Sequence, residues 1–312
     1  MTQPSPSVDL TSGVLLAALA LVWGGSFFFA EVALSQLPPL TITLFRVGLA
    51  LPVLFLVVRI KGFQIPGGAR IWGAYLGMGA LNNALPFSLI FWGQTQIESG
   101  LASILNGTTA MFGAVMAGIL LRDEPLTPQK LIGAALGFLG VAVIMGPSTL
   151  TSFDPRNLAQ LAVLAAAFSY ALASVWGKLF LAGQPPLMNA LGMVVGSTVL
   201  MLPLVFYVEG MPRLDLSAEV WCALIGIAVL STALAYLMYF DILRRAGSAN
   251  LMLVTLLIPP VAVGLGAGFL GETLSREAFL GFLVIGLGLV VTDGRLFKVI
   301  ANRRQKPADA PE

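Results

Sequence analysis

The chain has 312 residues, of which 57% are hydrophobic and 10% charged, with a mean hydropathy of +0.91; soluble domains carry about a quarter charged residues. This composition excludes a soluble globular protein, and at about 20 residues per bilayer-spanning helix the length holds roughly ten spans with short loops and no sizeable soluble domain. The net charge of +2 says little about partners. Cys222 is the single cysteine and lies inside an apolar run, which excludes a disulfide framework and a cysteine-based metal site. There is no histidine, so the residue most used for proton relay, and imidazole-dependent hydrolysis, are both absent. We therefore expect no catalytic residues, no metal, no cofactor and no nucleic-acid partner.

Apolar runs bounded by Pro, Gly and charges predict helices near Gly13 to Leu34, Leu40 to Val58, Ile71 to Phe91, Leu101 to Leu121 and Leu131 to Gly146. After a polar link from Pro147 to Asn157, five more follow near Leu158 to Leu181, Leu187 to Val208, Val220 to Phe240, Leu251 to Leu270 and Phe279 to Thr292. The first dozen residues hold no Lys or Arg, unlike a cleaved secretory signal, so the first helix is expected to stay in the mature protein. If the N-terminus is cytoplasmic, the inner loops and tail hold Arg59, Lys61, Arg70, Arg122, Lys130, Arg244, Arg245, Arg295, Lys298, Arg303, Arg304 and Lys306, against Arg156, Arg213 and Arg276 outside. That asymmetry follows the positive-inside rule and puts both termini in the cytoplasm.

One pattern occurs twice. An apolar run ends at Arg122-Asp123-Glu124-Pro125-Leu126 and is followed by a second run with Gly133 and Gly140; Gly271-Glu272-Thr273-Leu274 is likewise followed by Gly281 and Gly288, at the same spacing from the glutamate. Trp72 and Trp221 each open a long apolar run upstream, as an internal repeat requires. The fold class expected is an all-α polytopic membrane protein of ten transmembrane helices in two five-helix repeats, 1–147 and 148–312, the second ending in a basic cytoplasmic tail. Five is odd, so the second repeat crosses in the opposite sense, the inverted topology of secondary transporters that rock around a midplane site.

Overlaying Pro38-Pro39 on Pro185-Pro186 pairs Trp23, Phe27 and Glu31 with Tyr170, Ser174 and Lys178, each trio on one helix face. Asn82-Asn83 then falls opposite Ser231-Thr232, and Asn106 opposite Thr255. The aromatics Trp23, Phe27, Phe28, Phe29, Phe87, Trp92, Tyr170, Trp176, Tyr236 and Tyr239 concentrate in the first, third, sixth and eighth helices. A broad apolar cavity with a few polar groups suits a small molecule, although core packing or lipid contact explains many such aromatics and an interfacial belt explains Trp92. The amides and hydroxyls either bind substrate or bridge helices.

The motifs Trp23-Gly24-Gly25-Ser26, Leu44-Phe45-Arg46, Glu124-Pro125-Leu126 with Gly133 and Gly140, Gly271-Glu272-Thr273-Leu274 with Gly281 and Gly288, and Pro259-Pro260 resemble the drug/metabolite transporter superfamily, specifically its EamA-type permeases. The resemblance covers essentially the whole chain. It implies ten helices in two repeats in a bacterial inner membrane, and within the family the chain looks most like amino-acid exporters, aromatic amino acids first. A multidrug or quaternary-cation exporter of the same fold is the alternative. Two departures are visible: Glu31, and Ala110-Met111 where the second half has Pro259-Pro260, so the fourth and ninth helices are expected to bend unequally.

The substrate-cavity candidates are therefore Trp23, Phe27, Asn82, Asn83, Asn106, Tyr170, Ser174, Lys178, Ser231, Tyr236, Tyr239 and Thr255. Glu31, Arg46, Pro259 and Pro260 are the gating or coupling candidates. Glu31 and Arg46 both lie toward one end of their helices and are expected either to pair, as a latch or a structural bridge, or to snorkel. Lys178 either meets a substrate carboxylate or anchors a helix end. The expected partners are a small-molecule substrate and the lipid bilayer, with no obligatory protein partner. Gly266-x-Gly268-x-x-Gly271 fits the dinucleotide fingerprint literally, but no strand precedes it.

Overall fold

The computed structural model describes residues 10–122, 124–145, 155–251 and 254–293. The middle of the predicted link, Asp123 and the basic tail lie outside the described residues. Among those described, the secondary structure is helical throughout: α1 (Leu10–Leu34), α2 (Pro39–Ile60), α3 (Ala69–Gly79), α4 (Leu85–Gln94), α5 (Ser99–Asn106), α6 (Thr109–Leu120), α7 (Pro128–Met145), α8 (Pro155–Phe180), α9 (Pro186–Val208), α10 (Ala218–Ile225), α11 (Ala235–Leu251), α12 (Val254–Leu265) and α13 (Arg276–Asp293). Three π-helical segments, Ala80–Ala84, Gly226–Leu234 and Gly266–Leu270, join α3 to α4, join α10 to α11 and end α12.

Every predicted apolar run is helical; most starts move outward by one to three residues, whereas the eighth helix runs past its expected end at Phe240 to Leu251, the expected start of the ninth, and α12 is described from Val254. Pro39, Pro128, Pro155 and Pro186 each open a helix, where the missing N–H has no intrahelical partner to lose and φ is already set. Among the described residues, seven helices are long and apolar enough to cross a membrane, namely Leu10–Leu34, Pro39–Ile60, Ser99–Leu120, Pro128–Met145, Arg156–Phe180, Pro186–Val208 and Ala218–Ile242, and Val254–Leu270 is a shorter apolar helix. The segment 69–94 carries Arg70, Asn82 and Asn83, and α13 carries Arg276, Glu277 and Asp293, which lowers the hydropathy of both. Large apolar side chains such as Leu21, Phe138, Leu202 and Leu287 lie on the outside, as a lipid-facing surface requires.

The fourth and ninth predicted helices do bend unequally, and the prolines do not decide the sense. The fourth breaks into α5 and α6 at Gly107 and Thr108, where the Thr108 and Thr109 hydroxyls donate to the carbonyls of Leu105 and Asn106, both at 2.7 Å. α12 runs through Pro259 and Pro260 and widens only at Gly266–Leu270.

α7 and α13 form the tightest pair. A Cβ on Gly133 would meet the Gly288 carbonyl at 2.6 Å, and one on Gly140 would meet the Gly281 carbonyl at 2.8 Å. Reciprocally, a Cβ on Gly281 would meet the Gly140 carbonyl and one on Gly288 the Gly133 carbonyl, both at 2.6 Å. The repeated glycines thus let two backbones touch, the ordinary use of small residues between membrane helices. Because residue 133 faces 288 while 140 faces 281, the two helices run antiparallel. The remaining packing is reciprocal as well. α1 lies on α12 as α8 lies on α6, and α2 lies on Gly226–Leu234 as α9 lies on α3.

Candidate functional site

The polar groups that the sequence places at matching depths lie on π-helical segments. After Asn82 and Asn83 comes Pro86, which has no N–H for the Asn82 carbonyl, and the Leu85 N–H reaches back to the Ala80 carbonyl in the wider π register. In Gly226–Leu234 the Thr232 hydroxyl donates to the Ile227 carbonyl at 3.0 Å, occupying an acceptor that a regular turn would use. Such π bulges recur at functional sites because they turn side chains off the regular helix face.

Arg46, on α2, brings the two segments together. Its Nε donates to Thr232 Oγ1 at 3.0 Å and its Nη2 approaches the Ser231 carbonyl at 3.5 Å. The Phe87 ring lies over the guanidinium, 3.6 Å from centroid to Cζ, with Phe91 at 5.9 Å. Arg46 is 6% exposed, and no carboxylate among the described residues forms an ion pair with it. An arginine inside a span costs up to about 2.5–3.5 kcal/mol on insertion scales, which the cation–π stacking, worth about 2 kcal/mol when desolvated, and the hydroxyl bond offset.

Beside it, the Tyr236 hydroxyl donates to Asn83 Oδ1 at 2.9 Å and accepts from Asn82 Nδ2 at 3.4 Å. Asn82 Nδ2 also reaches Asn83 Oδ1 at 3.2 Å, and Asn83 Nδ2 donates to Ser197 Oγ of α9 at 3.2 Å. Ser231 Oγ donates to the Val22 carbonyl at 2.7 Å, next to Trp23, whose ring lies 5.9 Å from that of Tyr239. The Tyr170 ring meets Phe87 edge-on at 6.4 Å. Of the expected residues, Ser231, Tyr170 and Tyr236 therefore face Arg46, Asn82 and Asn83 are bonded to Tyr236, and Trp23 and Tyr239 lie ring to ring next to Val22, the acceptor of the Ser231 hydroxyl.

The other candidates lie elsewhere. Phe27 is buried in the core. Ser174 is exposed and its hydroxyl bonds the Ala171 carbonyl of its own helix at 2.7 Å. Lys178 is at the end of α8, exposed, and pairs with Glu124 at 2.7 Å. Asn106 stands at the α5–α6 break with Oδ1 buried and unpartnered, Thr255 is on α12, and of the two prolines Pro259 is buried and Pro260 exposed. The expected contact of Glu31 with Arg46 is not formed: Gln94 Nε2 donates to Glu31 Oε2 at 3.2 Å and to the Phe27 carbonyl at 2.9 Å. Glu31 points along α1 toward α4, while Arg46 turns inward beneath Phe87. Thr232, Phe87, Phe91, Met193 and Ser197 belong to the central region and were not among the expected site residues. Phe87 and Thr232 carried a signal, as a ring or hydroxyl inside a polar-punctuated span, whereas nothing in the sequence separates Met193 from its apolar neighbours.

At the end of the bundle carrying the α1–α2 turn, contacts bridge the two halves. Leu40 and Thr41 donate their backbone N–H groups to Glu209 at 3.0 and 2.7 Å, Arg156 pairs with Glu98 at 2.7 Å, and Ser217 N–H donates to Gln36 at 3.0 Å. On the α9–α10 connection, hydrogen bonding by Arg213 holds the Asp215 carboxyl below its usual range.

Comparison with known proteins fits this architecture. The chain is 29% identical over 294 residues to a probable amino-acid metabolite efflux pump of Escherichia coli, covering 89% of this chain and 93% of that protein. It is 24% identical over 275 residues to the uncharacterized transporter YoaV of Bacillus subtilis, covering 88% and 94% respectively. One known crystal structure superposes with a TM-score of 0.66 over 95% of this chain and 99% of that one, at 17% identity, a likeness of fold alone. The model of the EamA-like transporter family matches twice, over residues 11–146 and 157–292. The relatives are transporters rather than enzymes, and this chain is a multi-pass membrane protein of the EamA-like transporter family.

Proposed function

We propose that this transporter exports amino acids, aromatic ones first, or similar small amphipathic metabolites, by alternating access between two inverted five-helix repeats, 1–147 and 148–312. The observation that carries the proposal is a buried Arg46 faced by Thr232, Ser231, Phe87, Tyr170 and Tyr236, with an amide pair bonded to Tyr236 beyond them, groups drawn from both halves of the chain. A cation to hold an anionic group, amides for polar atoms and rings for an apolar side chain are the parts that recognition of an amphipathic solute calls for.

The repeat arrangement draws support from the double family match and from the reciprocal packing. Taken as counterparts, α7 and α13 pack antiparallel, which supports an axis lying across the helices and hence one half inverted relative to the other. On this scheme ten helices cross the membrane, the less apolar segments 69–94 and Arg276–Asp293 included: the Asn82 and Asn83 amides are bonded inside the bundle, and the charges of Arg276–Asp293 stand at the two ends of that helix. The distribution of Lys and Arg supports an inner-membrane orientation with cytoplasmic termini. The E. coli relative, a probable amino-acid metabolite efflux pump, supports the substrate class.

Counterflow in proteoliposomes tests this. Vesicles preloaded with unlabelled phenylalanine should accumulate labelled phenylalanine saturably, with no ion gradient applied. Absence of counterflow for every amino acid, in vesicles that move quaternary cations, overturns the substrate class and promotes a multidrug exporter.

A further inference from the structure

We propose that Arg46 is the receptor for the carboxylate of the transported solute; this deepens the reading above and rests on it. Guanidinium groups bind carboxylates through two parallel N–H donors in one plane. In this structure Nε is engaged by Thr232 Oγ1 at 3.0 Å, Nη2 has a contact of 3.5 Å to the Ser231 carbonyl, and Nη1 has no acceptor among the described residues. Most of the donor capacity of the group is unused. The Phe87 ring lies over the guanidinium, 3.6 Å from centroid to Cζ, and covers one face, so a bidentate partner would approach along its edge.

The surroundings select for the same ligand. Buried charges in proteins are ordinarily paired, yet two part-buried carboxylates are committed elsewhere: Glu31 to Gln94, and Glu209 to the start of α2. Among the described residues, Tyr170 and Tyr236 are the titratable groups that face Arg46, and both are phenols rather than carboxylates. The Tyr170 hydroxyl has no hydrogen-bond partner among the described residues and belongs to a half-buried side chain, so it is available beside the guanidinium. The counter-ion of Arg46 is then supplied by the solute during each cycle. Aromatic rings on neighbouring helices, Phe87, Tyr170, Trp23 and Tyr239, give the apolar remainder of the solute its place.

The test compares three probes against labelled phenylalanine in counterflow with the reconstituted full chain. The first is unlabelled phenylalanine, the second 3-phenylpropionate, which keeps the carboxylate and lacks the amine, and the third phenethylamine, which keeps the amine and lacks the carboxylate. We expect 3-phenylpropionate to compete and phenethylamine to compete at least about tenfold less well, the difference a charge-assisted bidentate contact implies. Arg46→Gln should weaken apparent phenylalanine affinity by a similar factor or more, and Arg46→Lys should restore part of it. Equal competition by phenethylamine, or an unchanged affinity in a folded Arg46→Gln variant, overturns the assignment while leaving amino-acid export standing. If the wild type moves 3-phenylpropionate in an Arg46-dependent way and no amino acid, the carboxylate receptor stands and the amino-acid reading falls. If it moves neither, both fall. Should Arg46→Gln fail to fold, the competition pattern of the wild type alone decides.

Discussion

The Glu272 carboxylate seizes the start of α5: Oε1 accepts from the Ser99 N–H at 2.9 Å, and Oε2 accepts from the Ser99 hydroxyl at 2.9 Å and the Gly100 N–H at 3.1 Å. These are N–H groups that no turn of α5 can satisfy, at the positive end of the helix, where a carboxylate is favoured. Gly271, at φ +68°, makes the left-handed turn that aims the carboxylate back across the chain, a conformation that suits glycine. Glu124 occupies the matching place in the first half and does something different, pairing with Lys178 where the two side chains are 41% and 38% exposed. Glu272→Gln should therefore cost about 1.5–3 kcal/mol, because charge-assisted hydrogen bonds are lost, and Glu124→Gln at most about 1 kcal/mol, as for exposed ion pairs. Thermal unfolding of the purified protein in detergent measures both. Equal losses would mean that the two glutamates have equivalent roles.

The glycines between α7 and α13 make a second stability prediction. A methyl group on Gly288 would press on the Gly133 carbonyl at 2.6 Å and the Gly137 nitrogen at 3.1 Å, and neither is a side chain that can move aside. Gly286, on the same helix, has open space around its Cα. Gly288→Ala should lower stability by about 1–3 kcal/mol, the range for overpacking. Gly286→Ala should be neutral or stabilising by up to about 1 kcal/mol, since alanine is the better helix former. A Gly288→Ala variant that unfolds with the wild type would show that the two helices separate readily.

The depth of Asn82-Asn83 and Ser231-Thr232 was legible in the sequence because polar residues inside an apolar run stand out and the run lengths fix their overlay. Their π geometry was not. A π turn inserts a residue, so counting in steps of four from α3 into α4 points to the wrong face, and only Pro86 hinted at the disturbance. Arg46 was legible as a charge at membrane depth, but its partner was not. Sequence offers Glu31 at a similar depth, while the fold rotates α1 so that Glu31 meets Gln94 and leaves Arg46 to Phe87 and Thr232. The repeated Gly133, Gly140, Gly281 and Gly288 were legible as close-packing positions, and their mutual contact follows from a symmetry that spacing suggests without fixing. The differing fates of Glu124 and Glu272 rest on tertiary partners that identical spacing cannot report.

The position of Glu31 makes a transport prediction. Since its carboxylate is held by Gln94 on α4, away from the guanidinium, Glu31→Gln should leave the apparent affinity for phenylalanine within about twofold. The same variant should still support counterflow without a pH gradient. An affinity loss of about tenfold, or 1.4 kcal/mol, would bring Glu31 into contact with solute in another conformation and would reinstate it as a coupling residue.

Tyr236 and Tyr239 separate a hydrogen-bonding role from a packing role. The Tyr236 hydroxyl is the link between the amide pair of one half and α11 of the other, donating to Asn83 Oδ1 at 2.9 Å while accepting from Asn82 Nδ2 at 3.4 Å. Without it, Asn83 Oδ1 keeps only the 3.2 Å contact from Asn82, and the amide pair loses its bond to the helix that faces Arg46. Removing one partner of a buried pair costs about 1–3 kcal/mol, and 1 kcal/mol corresponds to roughly fivefold in an equilibrium. Tyr236→Phe should therefore lower stability measurably and weaken apparent substrate affinity about fivefold or more. Tyr239 makes ring contacts with Trp23 and Phe240, and its hydroxyl has no hydrogen bond among the described residues. Tyr239→Phe keeps those rings in contact, so its affinity should match the wild type. If the two variants lose affinity alike, the Tyr236 hydroxyl does not orient the amides, and the polar wall of the site must be drawn from other groups.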